Sequence, residues 1–514
     1  MMKKFLCFIL CFMFLGIGIA DAAARKVWIN DLRTTFLNNS AIIMEINLRN
    51  FIAIDTDGDH LIKKSQGEES GNFLNSIERL KSIPSFGINT LLLMPINEIG
   101  KVKALGTAGS LYAVSDFSKL NHQLVSENSV LTDIEQAQKF VNTAHDNDIR
   151  IIVDLPACGA YDLYLKRPEL FLKDKNGEPV IAGDWTDVRM FNPGDETAYN
   201  KELFSVYKDF VDLMLEIGVD GIRASEPELK PAAFWKDLIS YSRKMDPQML
   251  WVAQIGDEGK LIKNSPINTS RAALLNAGFD GDYGFFEEFK NYKNSQELIA
   301  KISQLITQTR KGAEPKAVMG VFDSHDDESA ITGKGIDLCI LQYWLSATLP
   351  VNSFILDGNQ SGENFIYPWG NKVANDSETD DNRYFVNRGK MDIYNYSSIP
   401  YGNNVILMNE FAMSNMLKKY LLKHINLGHF QVLKTNNPDI FAYALSYNRD
   451  TLVVTGNLNR TNYAKGDIKI KKVNSDLIII PVRITGSPII EKGKIAVDLK
   501  ANEIQILMIN DFEL

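Results

Sequence analysis

Cysteine is scarce in this sequence, four residues in 514, and two of them, Cys7 and Cys11, lie in the apolar run at the N-terminus. The other two, Cys158 and Cys339, are too few for a disulfide framework. Neither has the neighbouring His or Cys that metal spacing requires. Basic runs are missing as well: the net charge is −9, and no Lys/Arg-rich stretch exists that could neutralise phosphates, which excludes nucleic acid as a partner. There is no internal repeat, no low-complexity linker and no glycine-rich phosphate turn after any early strand-like run. What is present is ordinary for a globular chain, 45% hydrophobic and 23% charged with 34 Gly and 17 Pro. Disorder, collagen and coiled coil are thereby excluded as the main architecture.

The first two dozen residues stand apart. Lys3 and Lys4 precede an apolar run from Phe5 to Ile19, and small residues around Ala22 and Ala24 follow. This is the pattern of a secretory signal peptide over residues 1–24. The run is shorter than the roughly 20 residues a membrane span needs. The expectation is an exported protein, secreted or periplasmic, with no membrane anchor. Cleavage would remove two lysines and one aspartate and take the charge from −9 to −10, which excludes a polybasic membrane contact.

Along the rest of the chain, short apolar runs end in Pro, Gly, Asp or Ser and alternate with amphipathic stretches whose apolar residues recur at three and four. The runs are 42–48, 88–95, 149–156, 219–225, 249–255, a weak one at 279–284, 317–323 and 351–357. Eight strand–helix repeats predict an α/β fold, a parallel (β/α)8 TIM barrel over residues 25–425. The segment 157–193 is rich in Gly, Pro, Asp and aromatics and reads as a short insertion after the third strand. From about Phe430 the pattern turns to alternating strands without helices, which predicts a C-terminal antiparallel β-sandwich over 426–514. An open doubly wound sheet is the alternative for the repeats.

In a β/α barrel the chemistry sits where the strands stop. Those positions hold Asp154 on the third run, Asp220, Arg223 and Ser225 on the fourth, Gln254 on the fifth, and His325 and Asp326 on the seventh. Taken together, DLPACG (154–159), GVDGIRAS (218–225), LWVAQIGD (250–257) and VFDSHDDES (321–329) resemble the four motifs of the α-amylase family of glycoside hydrolases, family 13, in order and spacing. GSLYAVSDF (109–117), GDWTDVRMFNP (183–193) and AGFDGDYGF (277–285) add to the likeness. The resemblance implies a barrel mouth that takes α-glucan or maltooligosaccharide.

It also exposes what is missing. A retaining glycosidase needs two carboxyl groups about 5 to 5.5 Å apart, one nucleophile and one proton donor. The position matching the nucleophile holds Ser225, the acid/base position holds Gln254, and only the position of the transition-state stabiliser keeps its carboxylate, Asp326. Arg223, His325 and Asp326 survive to bind sugar hydroxyls, and Tyr112 stands at the family's stacking position. The expectation is an exported amylase-like pseudo-enzyme of carbohydrate metabolism that recognises α-glucans without efficient hydrolysis. Three alternatives stay open: an active hydrolase or transglycosylase with relocated groups such as Glu226 or Glu258, a serine hydrolase using Ser225 with His325, and a protein-interaction scaffold. The family's Asn and His in the first motif correspond to Cys158 and Gly159, which leaves the family's interdomain calcium site without its ligand. DTDGD (55–59) resembles a calcium turn found after the first strand in part of the family, which implies calcium as the cofactor on Asp55, Asp57 and Asp59. Lys63 takes the place of a later carboxylate ligand, and a solvated acidic turn is the alternative.

Overall fold

The structure, a computed structural model, describes residues 27–510 except 184, 256–264, 311–315, 327–329, 365–391, 400, 423–424, 426–428, 471–478, 484–488 and 492. The proposed signal peptide lies outside the described residues, as does Glu258.

Eight parallel strands close into a barrel: β1 (Ile42–Ile46), β2 (Thr90–Leu93), β3 (Arg150–Leu155), β4 (Gly221–Ser225), β5 (Leu250–Gln254), β6 (Gly281–Phe285), β7 (Ala317–Val321) and β8 (Asn352–Leu356), with β8 pairing back onto β1. The eight apolar runs are these eight strands, and the closed barrel displaces the open sheet. Amphipathic helices return the chain between strands. Among them, α1 (Asp133–Asp146) starts with a reciprocal Thr132/Glu135 capping box. The next, α2 (Lys201–Ile217), is capped by the Asn200 side chain and stops at Gly218 with φ 87°. Each device satisfies backbone groups that a helix end leaves unpaired.

Because side chains alternate along a strand, the barrel strands bury both faces. Ile43, Leu92, Ile152, Leu250, Val252, Tyr283, Met319 and Phe354 fill the barrel, while Met44, Leu91, Ile151, Val153 and Trp251 face the helices. A short helix, α-helical over Leu32–Leu37, plugs the lower end with Leu32 and Phe36. Gly281 permits that plug: a Cβ there would lie 2.8 Å from the Phe36 ring and 2.0 Å from the Ala317 carbonyl oxygen.

After β3 the insertion forms a small antiparallel pair, Gly159–Ala160 with Val188–Arg189. At the C-terminus two antiparallel sheets face each other. One runs β9 (Phe430–Val432), β10 (Ile440–Tyr447), β11 (Asp450–Asn457), β16 (Ile504–Ile509), β13 (Ile479–Arg483); the other runs β12 (Ala464–Lys469), β15 (Lys494–Leu499), β14 (Ile489–Glu491). Alternation again sorts the residues. Ile440, Ala442 and Ala444 meet the second sheet, whereas Phe441, Tyr443 and Leu445 join the barrel's outer core, so β10 is buried on both faces. Among the described residues no helix is long and apolar enough to cross a membrane.

Candidate active site at the barrel mouth

The same parity places the site. Inward positions continue upward from Ile43, Ile152 and Val252 to Glu45, Asp154 and Gln254, and on β4 they are Arg223 and Ser225. Register aligns them: Asp154 pairs with Arg223 across β3 and β4, and Ser225 pairs with Gln254 across β4 and β5. These residues therefore form the top layer of the barrel, at the end where barrel chemistry occurs.

Asp154, 1% exposed, is the hub. Its Oδ2 accepts from Arg223 Nη1 and from the Tyr112 hydroxyl at 2.7 Å; its Oδ1 accepts from Ser225 Oγ at 3.0 Å. Arg223 also donates to Ser225 Oγ at 3.0 Å and lies against the Tyr283 ring, 4.6 Å from its centroid. Burial pushes the Asp154 carboxyl upward, opposed by Arg223 and by its hydrogen bonds, while the surrounding carboxylate and phenols overcome burial to hold the Arg223 charge. The serine hydroxyl is thus a member of a closed buried network.

Tyr112 links this hub to a second one. Its ring stacks on His325 at 5.4 Å and 19°. His325 Nδ1 donates to Glu45 Oε1 at 2.8 Å, and its Nε2 lies 3.4 Å from Asp326. Burial alone would lower the imidazole, but Asp326 and Glu45 more than reverse this and raise it to about 9. With carboxylates at both nitrogens the ring is an imidazolium at neutral pH, so it cannot serve as a base for Ser225. The serine-hydrolase alternative loses its geometry here. At the strand end His325 is buried and Asp326 is the exposed member, with 52% of its side chain accessible. Because the folded-state pKa lies above the ordinary 6.5, this group's stabilisation is complete below about 6.5 and is lost as pH rises through about 9. A histidine NMR titration is expected to show a midpoint near 9 that falls by at least one unit in Glu45→Gln; a midpoint near 6.5 in the native chain contradicts the assignment.

Asp220 is displaced from the mouth. It precedes β4 at the lower end, where its carboxylate accepts from Trp28 Nε1, His145 Nε2 and the Ile151 N–H, each at 2.8 Å. Glu226 follows Ser225 in the left-handed region (φ 41°, ψ 54°), its N–H donating to the Gln254 carbonyl at 2.9 Å. Burial, with Glu228 and Asp326 nearby, raises its carboxyl to about 7.

Three contributors escape a reading of the chain. Glu45 is the lone charge in the first apolar run, and a charge there needs a buried partner. Arg49, fully buried, donates to the carbonyls of Gly109 (3.1 Å) and Ile393 (2.8 Å) and braces the loop carrying Tyr112. Burial brings its guanidinium down to about 10. Trp185, from the insertion, stacks on Tyr394 at 6.2 Å and, like Tyr112, packs against the cluster that contains it.

Calcium fits poorly at the base of the insertion. Cys158 is a buried thiol pushed up to about 12 by burial, and beside it the Lys230 ammonium donates to the Ala157 carbonyl at 3.1 Å and lies 4.6 Å from the Tyr207 ring centroid. A protonated thiol and an ammonium are not ligands for a hard cation. The carboxylates of Asp55, Asp57 and Asp59 do converge, within 4.8 Å of one another, as a group distinct from the mouth network.

A parallel eight-stranded barrel with an insertion after β3, a C-terminal sandwich and an Asp–Arg–His–Asp set at its mouth defines an amylase-type barrel. Over 475 residues the chain is 23% identical to "Alpha-amylase 3" of Dictyoglomus thermophilum, covering 82% of this chain and 85% of that one. Over 260 residues it is 27% identical to an alpha-1,4-glucan:maltose-1-phosphate maltosyltransferase of Myxococcus xanthus, covering 47% of this chain and 36% of that protein. The chain therefore spans little more than a third of that relative's length. An α-amylase crystal structure from Lactobacillus plantarum superposes with a TM-score of 0.70 at 19% identity, covering 92% of this chain and 99% of that one. No family model matches the chain. With its motifs on the third, fourth, fifth and seventh strands, the chain has the fold of the α-amylases and is similar in sequence to an α-amylase and to maltosyltransferases.

Proposed function

We propose that this protein, after export, binds α-glucans of the maltooligosaccharide type at the barrel mouth without hydrolysing them efficiently. One observation carries the reading: the paired strand ends that would present two carboxyl groups present Ser225 and Gln254. The serine hydroxyl has given its proton to a hydrogen bond with Asp154 and has no free base, and an amide cannot donate a proton usefully. Proton donation alone is worth about 10²- to 10⁴-fold, and without a nucleophile the covalent route is closed. Binding needs neither group. A sugar has an apolar face and a polar rim, which suits the partly exposed rings of Tyr112 and Trp185 beside the exposed Asp326.

Calorimetric titration with maltooligosaccharide is expected to give a dissociation constant of roughly micromolar to millimolar. Tyr112→Ala should weaken it by about 0.5–1.5 kcal/mol through lost stacking. The same preparation should release no reducing sugar from starch, maltooligosaccharide or isomaltose above an Asp326→Ala control. Turnover on the order of 1 s⁻¹ sinks the reading; absence of heat at about 10 mM glucan sinks the binding half.

A second reading rests on Glu226, whose strained backbone and raised carboxyl beside Asp326 give it the properties of a relocated proton donor. If turnover is found and Glu226→Gln abolishes it, that reading replaces the first.

A further inference from the structure

The acidic turn after β1 is built around a cation that the chain itself supplies. Lys63 Nζ lies 2.8 Å from Asp57 Oδ2 and closer still to the Asp59 carboxylate. The remaining oxygens are taken by the turn's own backbone. Asp55 Oδ1 accepts from the Gly58 N–H (2.8 Å), and its Oδ2 accepts from the His60 N–H (2.8 Å) and the Ser398 hydroxyl (3.1 Å). Asp57 Oδ1 accepts from the Asp59 N–H at 3.2 Å, and Asp59 Oδ1 from the Leu61 N–H at 3.0 Å. Glu68 closes the far side through the Thr56 N–H (2.9 Å) and the Lys63 N–H (2.7 Å).

A calcium ion asks for six to eight oxygens at about 2.3–2.6 Å. Here the two oxygens aimed into the centre of the turn already face an ammonium, and a divalent ion would meet that positive charge at contact distance. The donor set does not fit the metal that the family likeness implies. It fits a lysine.

The turn has work to do without a metal. It grips the stretch 396–398 through Ile62 N–H to the Tyr396 carbonyl (2.9 Å), Ser398 N–H to the His60 carbonyl (3.1 Å) and the Ser398 hydroxyl on Asp55. That stretch continues from Ile393 and Tyr394, which Arg49 and Trp185 hold against the mouth. We propose that Lys63 is the resident cation of the Asp55–Asp57–Asp59 turn, replacing calcium and making the clamp on the 392–398 segment independent of metal.

The test uses the full-length protein, with calcium chloride as the titrant and thermal melting as the second readout. The native chain is expected to give no binding heat with calcium, and its melting temperature should agree to within about 1 °C in calcium and in EDTA. Lys63 is about one-third exposed, so a substitution there should fold. Lys63→Glu removes the ammonium and adds a fourth carboxylate. It should acquire calcium affinity of about 10⁻⁴–10⁻³ M, as in extracellular calcium modules, and a melting temperature that calcium raises by several degrees. Lys63→Gln should melt lower at low ionic strength and recover as salt screens the three aspartates. Submillimolar calcium binding by the native chain with a fall in melting temperature in EDTA overturns the proposal. So does a folded Lys63→Glu chain that ignores calcium, since the lysine would then not be standing in a cation's place.

Discussion

Ser225→Asp combined with Gln254→Glu is expected to release reducing sugar from maltooligosaccharide at least about 10²-fold faster than either single variant, each of which should stay within tenfold of the native background. The asymmetry follows from the chemistry: a nucleophile without a proton donor, or a donor without a nucleophile, leaves the double displacement incomplete. Geometry favours the pair. Ser225 and Gln254 are register partners on adjacent strands and point to the same inward face, and neighbouring strands lie about 4.7–4.9 Å apart, close to the 5–5.5 Å that a retaining mechanism needs. Electrostatics permit it as well. Ser225 Oγ already receives a hydrogen bond from Arg223 Nη1 at 3.0 Å, so an aspartate there would inherit that guanidinium as a partner while Asp154 keeps the Tyr112 hydroxyl. The cost is a second carboxylate 3 Å from the first, and proximity of like charges raises the pKa of one of them. The rate should therefore follow a bell against pH, falling on the acid side as the introduced nucleophile is protonated and on the basic side as the introduced glutamic acid loses its proton. Initial rates of sugar release across pH 5–9 measure this. A folded double variant with no activity anywhere in that range means that the mouth has lost geometry beyond two side chains.

Why so much of this was legible in the chain can be seen strand by strand. Runs such as IRIIVDL and TLLL are apolar on both faces, as a strand must be when it is wrapped by helices outside and packed inside, so their extents came out within two residues. The weak run at 279–284 shows where the signal thins: Gly281 makes room for Phe36, Asp282 turns to Arg271, and neither choice looks like a strand by hydrophobicity. In the sandwich, β12 (AKGDIK) alternates weakly, because only Ala464 and Ile468 face the core. The site divides in the same way. Positions fixed by period two at a strand end, Asp154, Arg223, Ser225 and Gln254, could be named in advance. A pairing of Asp154 with Arg223 inside the barrel could be named as well, but the burial of His325 could not, because that depends on Glu45 arriving from a strand 280 residues away. Asp220 shows the converse: it stands just before β4, at the lower end, whereas Arg223 three residues on belongs to the mouth, and only that end is catalytic in this fold.

The survival of Asp154 and Arg223 has a structural explanation that requires no sugar, and the largest effect on stability should expose it. Arg223→Met is expected to cost about 3–5 kcal/mol, read as a fall in the urea midpoint, because it leaves the carboxylate of Asp154 buried with two hydroxyl donors and only the His325 imidazolium, not in contact, to oppose its charge. Methionine fills much of the vacated volume, so the loss reflects charge more than cavity. Two controls separate the causes. Asp154→Asn on top of Arg223→Met removes the orphaned charge and should recover most of the loss. Lowering the pH should also recover part of it in the single variant: burial already pushes the Asp154 carboxyl upward, and without Arg223 nothing of opposite charge in contact opposes that, so protonation relieves the cost as pH falls through the new value. Asp326→Ala, which leaves Asp154 and Arg223 paired and removes one of the two carboxylates facing the His325 imidazolium, should cost less than Arg223→Met. A loss below about 1 kcal/mol in Arg223→Met would show that the pair does not hold the barrel, and its retention would then point to a ligand. A loss of the expected size assigns Asp154 and Arg223 to the fold. Recognition of glucan then has to be read from Tyr112, Trp185 and Asp326, whose exposed surfaces the barrel does not need for its own stability.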